Sequence, residues 1–169
     1  MIVSSFFPAF CQFILVFTFA YASYKKFQQI EEVIAALEVS FSLPQAIAQS
    51  VSYLLIIVEM TIAVGILFAY QSAMTWLIAI VLLLAFLAVS LFSVFSGKTI
   101  QCNCFGETTK MGWTHVFRNT LLLGAALFCF HFPPTLHSII DVLMISMMAM
   151  ILLTLILHFQ SISQFLGGK

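Results

Sequence analysis

Charge is what this chain has least of. Only 7% of its 169 residues are Asp, Glu, Lys or Arg, against about 25% in a typical soluble domain. Six basic and six acidic residues leave no net charge, so the basic face that nucleic acid requires is missing. A disordered chain is excluded as well, because such chains are poor in apolar residues and this one is 63% hydrophobic. With a mean hydropathy of +1.15, an ordinary soluble enzyme is also excluded: a fold of this size cannot hide that much apolar surface. No phosphate-binding loop, His-Glu-x-x-His metal motif or nucleophile elbow occurs. What is present is a series of long apolar runs joined by short polar segments, the pattern of a multi-pass membrane protein.

A membrane helix needs about 20 mostly apolar residues. Five stretches meet that length: roughly Ser5–Tyr24, Ala46–Tyr70, Ala73–Phe95, Thr114–Phe132 and Leu136–Phe159. They are too long for membrane strands and do not alternate, and only helices satisfy their own backbone in lipid without closing a barrel. The expected fold is therefore an all-α integral membrane bundle forming a single domain over residues 1–169. Ala20-Tyr21-Ala22 resembles a signal-peptide cleavage site, but no Lys or Arg precedes the apolar run, so the first span is expected to remain as a helix.

Between the first two spans, Phe27–Val39 places Ile30, Val33, Ile34 and Leu37 at helical spacing and Gln29, Glu31, Glu32 and Glu38 on the other face. It is too short to cross and is expected to lie along the membrane interface. Gln71-Ser72 is a tight turn, and Pro133-Pro134 separates the fourth span from the fifth. The longest polar loop runs from Ser96 to Trp113. With five spans, this loop shares one side with Lys25, Lys26, Lys98, Lys110 and Lys169, and the positive-inside rule would make that side cytoplasmic.

The loop contains Cys102-Asn103-Cys104-Phe105-Gly106. An extended i to i+2 separation of about 7 Å is near the upper limit for a disulfide. The small ring is strained, which favours exchange over a permanent bond. Gly106 frees the backbone to turn, and the helix that follows has a dipole that favours a thiolate. Redox exchange is the reading these residues support first. A metal site with His115 as third ligand would suit zinc or copper but lacks an evident fourth ligand, and two inert cysteines are the remaining alternative.

Glu59 lies near the middle of the second span, where an ionisable group is costly and functional by default. Arg118, about one turn into the fourth span, is the expected partner, either as a packing ion pair or in proton handling. Lys25 and Lys26 are expected to end the first span and snorkel to the interface. Cys11 and Cys129 are expected to be small buried hydrophobes, with a second dithiol as the alternative. Met144, Met147, Met148 and Met150 read as packing residues before a copper path. His131, His137 and His158 stand at span ends, where a polar ring needs no special role.

Tyr24-Lys25-Lys26-Phe27, Leu43-Pro44, Glu59 followed by Gly65, Cys102-Asn103-Cys104-Phe105-Gly106 and Arg118-Asn119 occur in an order that resembles the methylamine-utilisation MauE family. That family lies within the wider MauE/DoxX group of redox-associated membrane proteins. The resemblance covers roughly residues 15–130 and implies four core spans, with the fifth as a C-terminal addition. It implies a bacterial inner-membrane protein beside a thioredoxin-like partner, with Cys102 and Cys104 exchanging electrons. Glu59, Arg118, Asn119, Lys25, Phe105 and Gly106 would support the pair. It also implies a disulfide-rich extracytoplasmic client whose maturation is assisted, and a quinone is a candidate electron acceptor by analogy with the similar bundle of vitamin K epoxide reductase. That chemistry belongs to an oxidising compartment, so the loop is expected outside the cytoplasm, against the lysine count. A non-enzymatic assembly factor and a copper- or zinc-handling protein remain the alternatives.

Overall fold

The apolar runs fold as helices, and a computed structural model describes residues 2–68, 72–96, 101–102, 109–110, 113–134 and 139–167. Within these, side chains are described except at 2–5, 96, 101–102, 109–110, 139 and 156–167. In chain order the elements are α1 (Ile2–Gln28), α2 (Ile30–Phe41), α3 (Gln45–Phe68), α4 (Ala73–Ser96), β1 (Gln101–Cys102), β2 (Thr109–Lys110), α5 (Trp113–His131) and α6 (Ile139–Gly167). The expected all-helical membrane bundle is what forms. The short hairpin between α4 and α5 is an addition that the apolar pattern could not announce.

Phe6–Gln28, Gln45–Phe68 and Ala73–Phe95 are long and apolar enough to cross a membrane. In α6 the apolar stretch among the described residues is shorter, Ile140–Leu155. Its Met144, Met147, Met148 and Met150 side chains are exposed on the helix surface, as lipid-facing packing residues would be. The first span extends one turn further than its apolar run suggests, to Gln28, and so takes Lys25 and Lys26 into the helix.

Burial is arranged inside out relative to a soluble protein. On α3 a single stripe is buried: Ala48, Ser52, Ile56, Glu59, Ile62, Ala63 and Ile66. Its opposite face exposes Leu54, Ile57, Val64 and Phe68. Across the molecule Gln12, Lys26, Glu59, Ser90 and Asn119 are buried, while Phe68, Met74 and Phe95 are among the most exposed residues. Water would penalise that surface heavily, whereas lipid tails match it and leave polar groups to the bundle interior. Lipid offers helices no hydrophobic reason to associate, so close packing depends on small residues. Ala9, Ala63, Ala79, Ala126 and Ala149 fill that role, each buried at 3% exposure or less. On α3, Gly65 lies so close to α4 that a Cβ built on it would sit 2.9 Å from Thr75 Cγ2.

α1 is the central helix and packs against α3, α5 and α6, while α4 packs chiefly against α5. Cys11, Leu15, Val16 and Phe19 of α1 meet Ile62, Ala63 and Ile66 of α3, Trp76, Ala79 and Leu83 of α4, and Ala126 and Cys129 of α5 in one apolar core. Gln12 Nε2 donates to the Ile66 carbonyl at 2.8 Å, fixing α1 against α3. α2 is nearly continuous with α1, since Gln29 N donates to Lys25 O and Val33 N to Gln29 O, both at 3.1 Å. It buries Val33, packs on α3 and lies beside β1. It ends where Ser42 adopts a left-handed conformation at φ 52°.

Candidate functional site

Helix register brings polar residues from four helices to one end of the bundle. Lys26 is in the last turn of α1, Ser90 is near the end of α4, and His115, Arg118 and Asn119 are in the first two turns of α5. Together with Thr18 and Glu59 they line a cavity of about 30 Å³, closed by Phe19, Ala22, Leu83, Phe86 and Leu122. A cavity above about 10–15 Å³ with several polar partners has room for a water molecule.

The Lys26 ammonium is paired with the Glu59 carboxylate, and the two side chains are 3% and 1% exposed. Lys26 also lies over the Phe86 ring, 5.0 Å from its centroid, so a second helix helps to hold the cation. This corrects two expectations. Lys26 does not snorkel, because α1 continues past it and turns its side chain into the bundle. The partner shown for Glu59 is Lys26 rather than Arg118. Arg118 lines the same cavity. The second Glu59 oxygen, Oε2, and His115 Nδ1 are buried without a hydrogen-bond partner among the described residues, and both belong to residues that line the cavity.

Asn119 is buried and its Nδ2 donates to Ser90 Oγ at 3.2 Å. Ser90 Oγ in turn donates to the Phe86 carbonyl at 2.8 Å. The α4–α5 contact is thus hydrogen-bonded one to two turns below the hairpin that joins those helices. Lys25 points away from the cluster, with its ammonium 5.9 Å from the Tyr21 ring centroid. Ser90 and Thr18 are cavity residues that the sequence did not single out, and Lys26 is one that the sequence placed at the interface instead. The one available signal was Lys26 itself, an ionisable residue within a turn of the apolar run.

The cysteine loop begins above this cluster. Cys102 is on β1, paired antiparallel with Thr109 of β2, and Gln101 pairs with Lys110. The backbone of Cys102 is therefore held in extended conformation between the ends of α4 and α5, with α2 alongside. Cys104, Phe105 and Gly106 lie outside the described residues. Among the described residues no three His, Cys, Asp or Glu side chains gather as a metal site would require.

A family model described as methylamine utilisation protein MauE matches residues 4–132, the stretch that runs from the start of α1 through α5 and stops ahead of α6. The methylamine utilization protein MauE of Paracoccus denitrificans is 31% identical over 116 residues, which is 67% of this chain and 62% of that protein. The chain therefore aligns with less than two thirds of that relative's length. No solved structure matches. With an apolar exterior, a buried charged pair and a family match that runs from α1 through α5, this chain is a membrane protein that belongs to the methylamine utilisation protein MauE family.

Proposed function

We propose that this chain is a membrane thiol–disulfide exchange protein acting in methylamine utilisation, in which Cys102 and Cys104 exchange electrons with a thioredoxin-like partner. The observation that carries the reading is the Cys102-Asn103-Cys104-Phe105-Gly106 loop in a chain of the MauE family. The support from the fold is positional. The first cysteine is on a paired strand between α4 and α5, at the end of the bundle that holds the buried Lys26–Glu59 pair. Exchange proceeds by attack of a thiolate on a disulfide sulfur, through a mixed disulfide that the second thiol resolves. The client would be a disulfide-rich protein outside the cytoplasm, and the membrane would be the inner membrane of a bacterial cell.

The test is turnover of such a client. Cys102→Ser and Cys104→Ser should each reduce client thiol–disulfide turnover to background while expression holds, because each exchanges a thiol for a hydroxyl of similar size within a polar segment. Full turnover in both single variants would remove the reading and leave an assembly factor that needs no thiol chemistry.

Orientation has its own test. A membrane-impermeant maleimide applied to intact, reduced cells should label a loop cysteine, since exchange with extracytoplasmic proteins requires the loop to face them. Labelling only after lysis would place the loop in the cytoplasm, as the lysine count suggests.

A further inference from the structure

At the end of the bundle away from the cysteine loop, helices α1 and α5 bring two more thiols together. Cys11 and Cys129 are both free and buried. They belong to the same apolar core, on helices that pack against each other. The Cys129 thiol also points at the Pro8 carbonyl oxygen, 3.4 Å away. Cys11 is about 22 Å along α1 from Lys26, and Cys129 about 16 Å along α5 from Arg118, at 1.5 Å per residue. The pair is therefore separate from both the polar cavity and the C-x-C loop.

We propose that Cys11 and Cys129 form a reversible dithiol–disulfide couple inside the bundle, oxidised by a bilayer-soluble quinone. Two S–H bonds break and one S–S bond forms. The two electrons and two protons pass to the quinone oxygens and give the quinol, so the step balances with no other reactant. A disulfide requires the sulfurs to close to about 2.05 Å, and two thiols of one core on packed helices, with Cys129 Sγ 3.4 Å from the carbonyl of a residue one turn before Cys11, are placed for that.

The oxidant class follows from access and from the neighbouring rings. Cys11 is 7% exposed and Cys129 is fully enclosed, so the disulfide of a folded partner protein cannot reach either sulfur for attack. An apolar two-electron, two-proton acceptor arriving through the lipid would meet Cys11, the one of the two cysteines with residual exposure. Phe7 lies one turn before Cys11 and Phe132 one turn after Cys129. Phe7 meets Phe128 edge to face at 5.1 Å, and Phe128 meets Phe132 at 5.0 Å. Phe7 and Phe132 are both exposed on the apolar surface, giving a planar quinone ring an aromatic platform beside the thiols.

The experiment uses the full chain with both loop cysteines replaced, C102S and C104S together, which leaves only this pair. The purified protein is treated with a short-chain quinone, freed of it, denatured and labelled with a polymer maleimide. Both thiols should label before quinone and neither after it, and both should label again after dithiothreitol, with the protein monomeric on a non-reducing gel. Adding Cys11→Ser should leave Cys129 labelled throughout. In wild-type protein, peptide mass spectrometry should find a quinone-dependent, reductant-sensitive link between the Cys11 and Cys129 peptides, so the test survives if the loop variant folds poorly. Undiminished labelling after quinone, loss that dithiothreitol does not reverse, or a covalent dimer would each overturn the proposal. The loop thiols take no part in this measurement, so its outcome is independent of whether they exchange with a partner.

Discussion

Lys26→Ala should destabilise the bundle by about 3–5 kcal/mol, the cost of leaving one member of a buried ion pair without the other. Glu59 is 1% exposed, and its second oxygen is already without a hydrogen-bond partner among the described residues. Removing Lys26 would strip the donor from the first oxygen as well. Glu59→Ala should cost a similar amount, because the ammonium would lose its carboxylate and keep the Phe86 ring. The double variant Lys26→Met with Glu59→Leu should regain most of the loss, since apolar residues of similar volume often replace a buried pair at little cost. Thermal unfolding in a mild detergent reads all three. Two residues in contact give a coupling energy in a double-mutant cycle, and distant ones add. A cycle on Lys26 and Glu59 that proves additive would separate them, and strong coupling of Glu59 to Arg118 in their place would restore the pairing that the sequence suggested.

Cys102→Ser should accumulate a covalent complex with the thioredoxin-like partner, visible on a non-reducing gel and absent after reductant. Cys104 is two residues nearer in sequence to the start of α5, and a helix N-terminus favours a thiolate, so it is proposed as the attacking thiol. Cys102 then resolves the mixed disulfide, and its loss leaves that intermediate with no exit inside the chain. Cys104→Ser should lose turnover without trapping the partner. If Cys104→Ser traps and Cys102→Ser does not, the two roles are exchanged. If neither single variant forms the complex while both lose turnover, the partner does not pass through a mixed disulfide on this loop. The buried polar cluster one to two turns below would not take part in this covalent step directly. Its contribution would be to hold α4 and α5 in the register that presents the hairpin.

Lipid as the surrounding solvent was determined by the sequence alone, through its apolar runs and lack of charge. Helix type and approximate span positions followed from length, because a backbone in lipid has few ways to satisfy itself. The amphipathic face of α2 followed from spacing, and Val33 is its buried residue. Family membership was legible in short motifs kept in order. Which charges meet was not legible. Glu59 could be recognised as expensive, but its partner depended on whether α1 stopped at Tyr24 or continued one turn to Gln28. Hydropathy falls at the lysines in either case, so composition could not distinguish a snorkelling Lys26 from a buried one. The Asn119–Ser90 bond, the cavity that Arg118 and His115 share with Glu59, and the core that Cys11 and Cys129 share all join residues far apart in the chain. They exist because crossing angles and rotations of packed helices bring particular faces together, and a one-dimensional pattern records which face of a helix is apolar but not which neighbour it meets. Tertiary packing decided those contacts, and with them which polar groups share the interior of this membrane bundle.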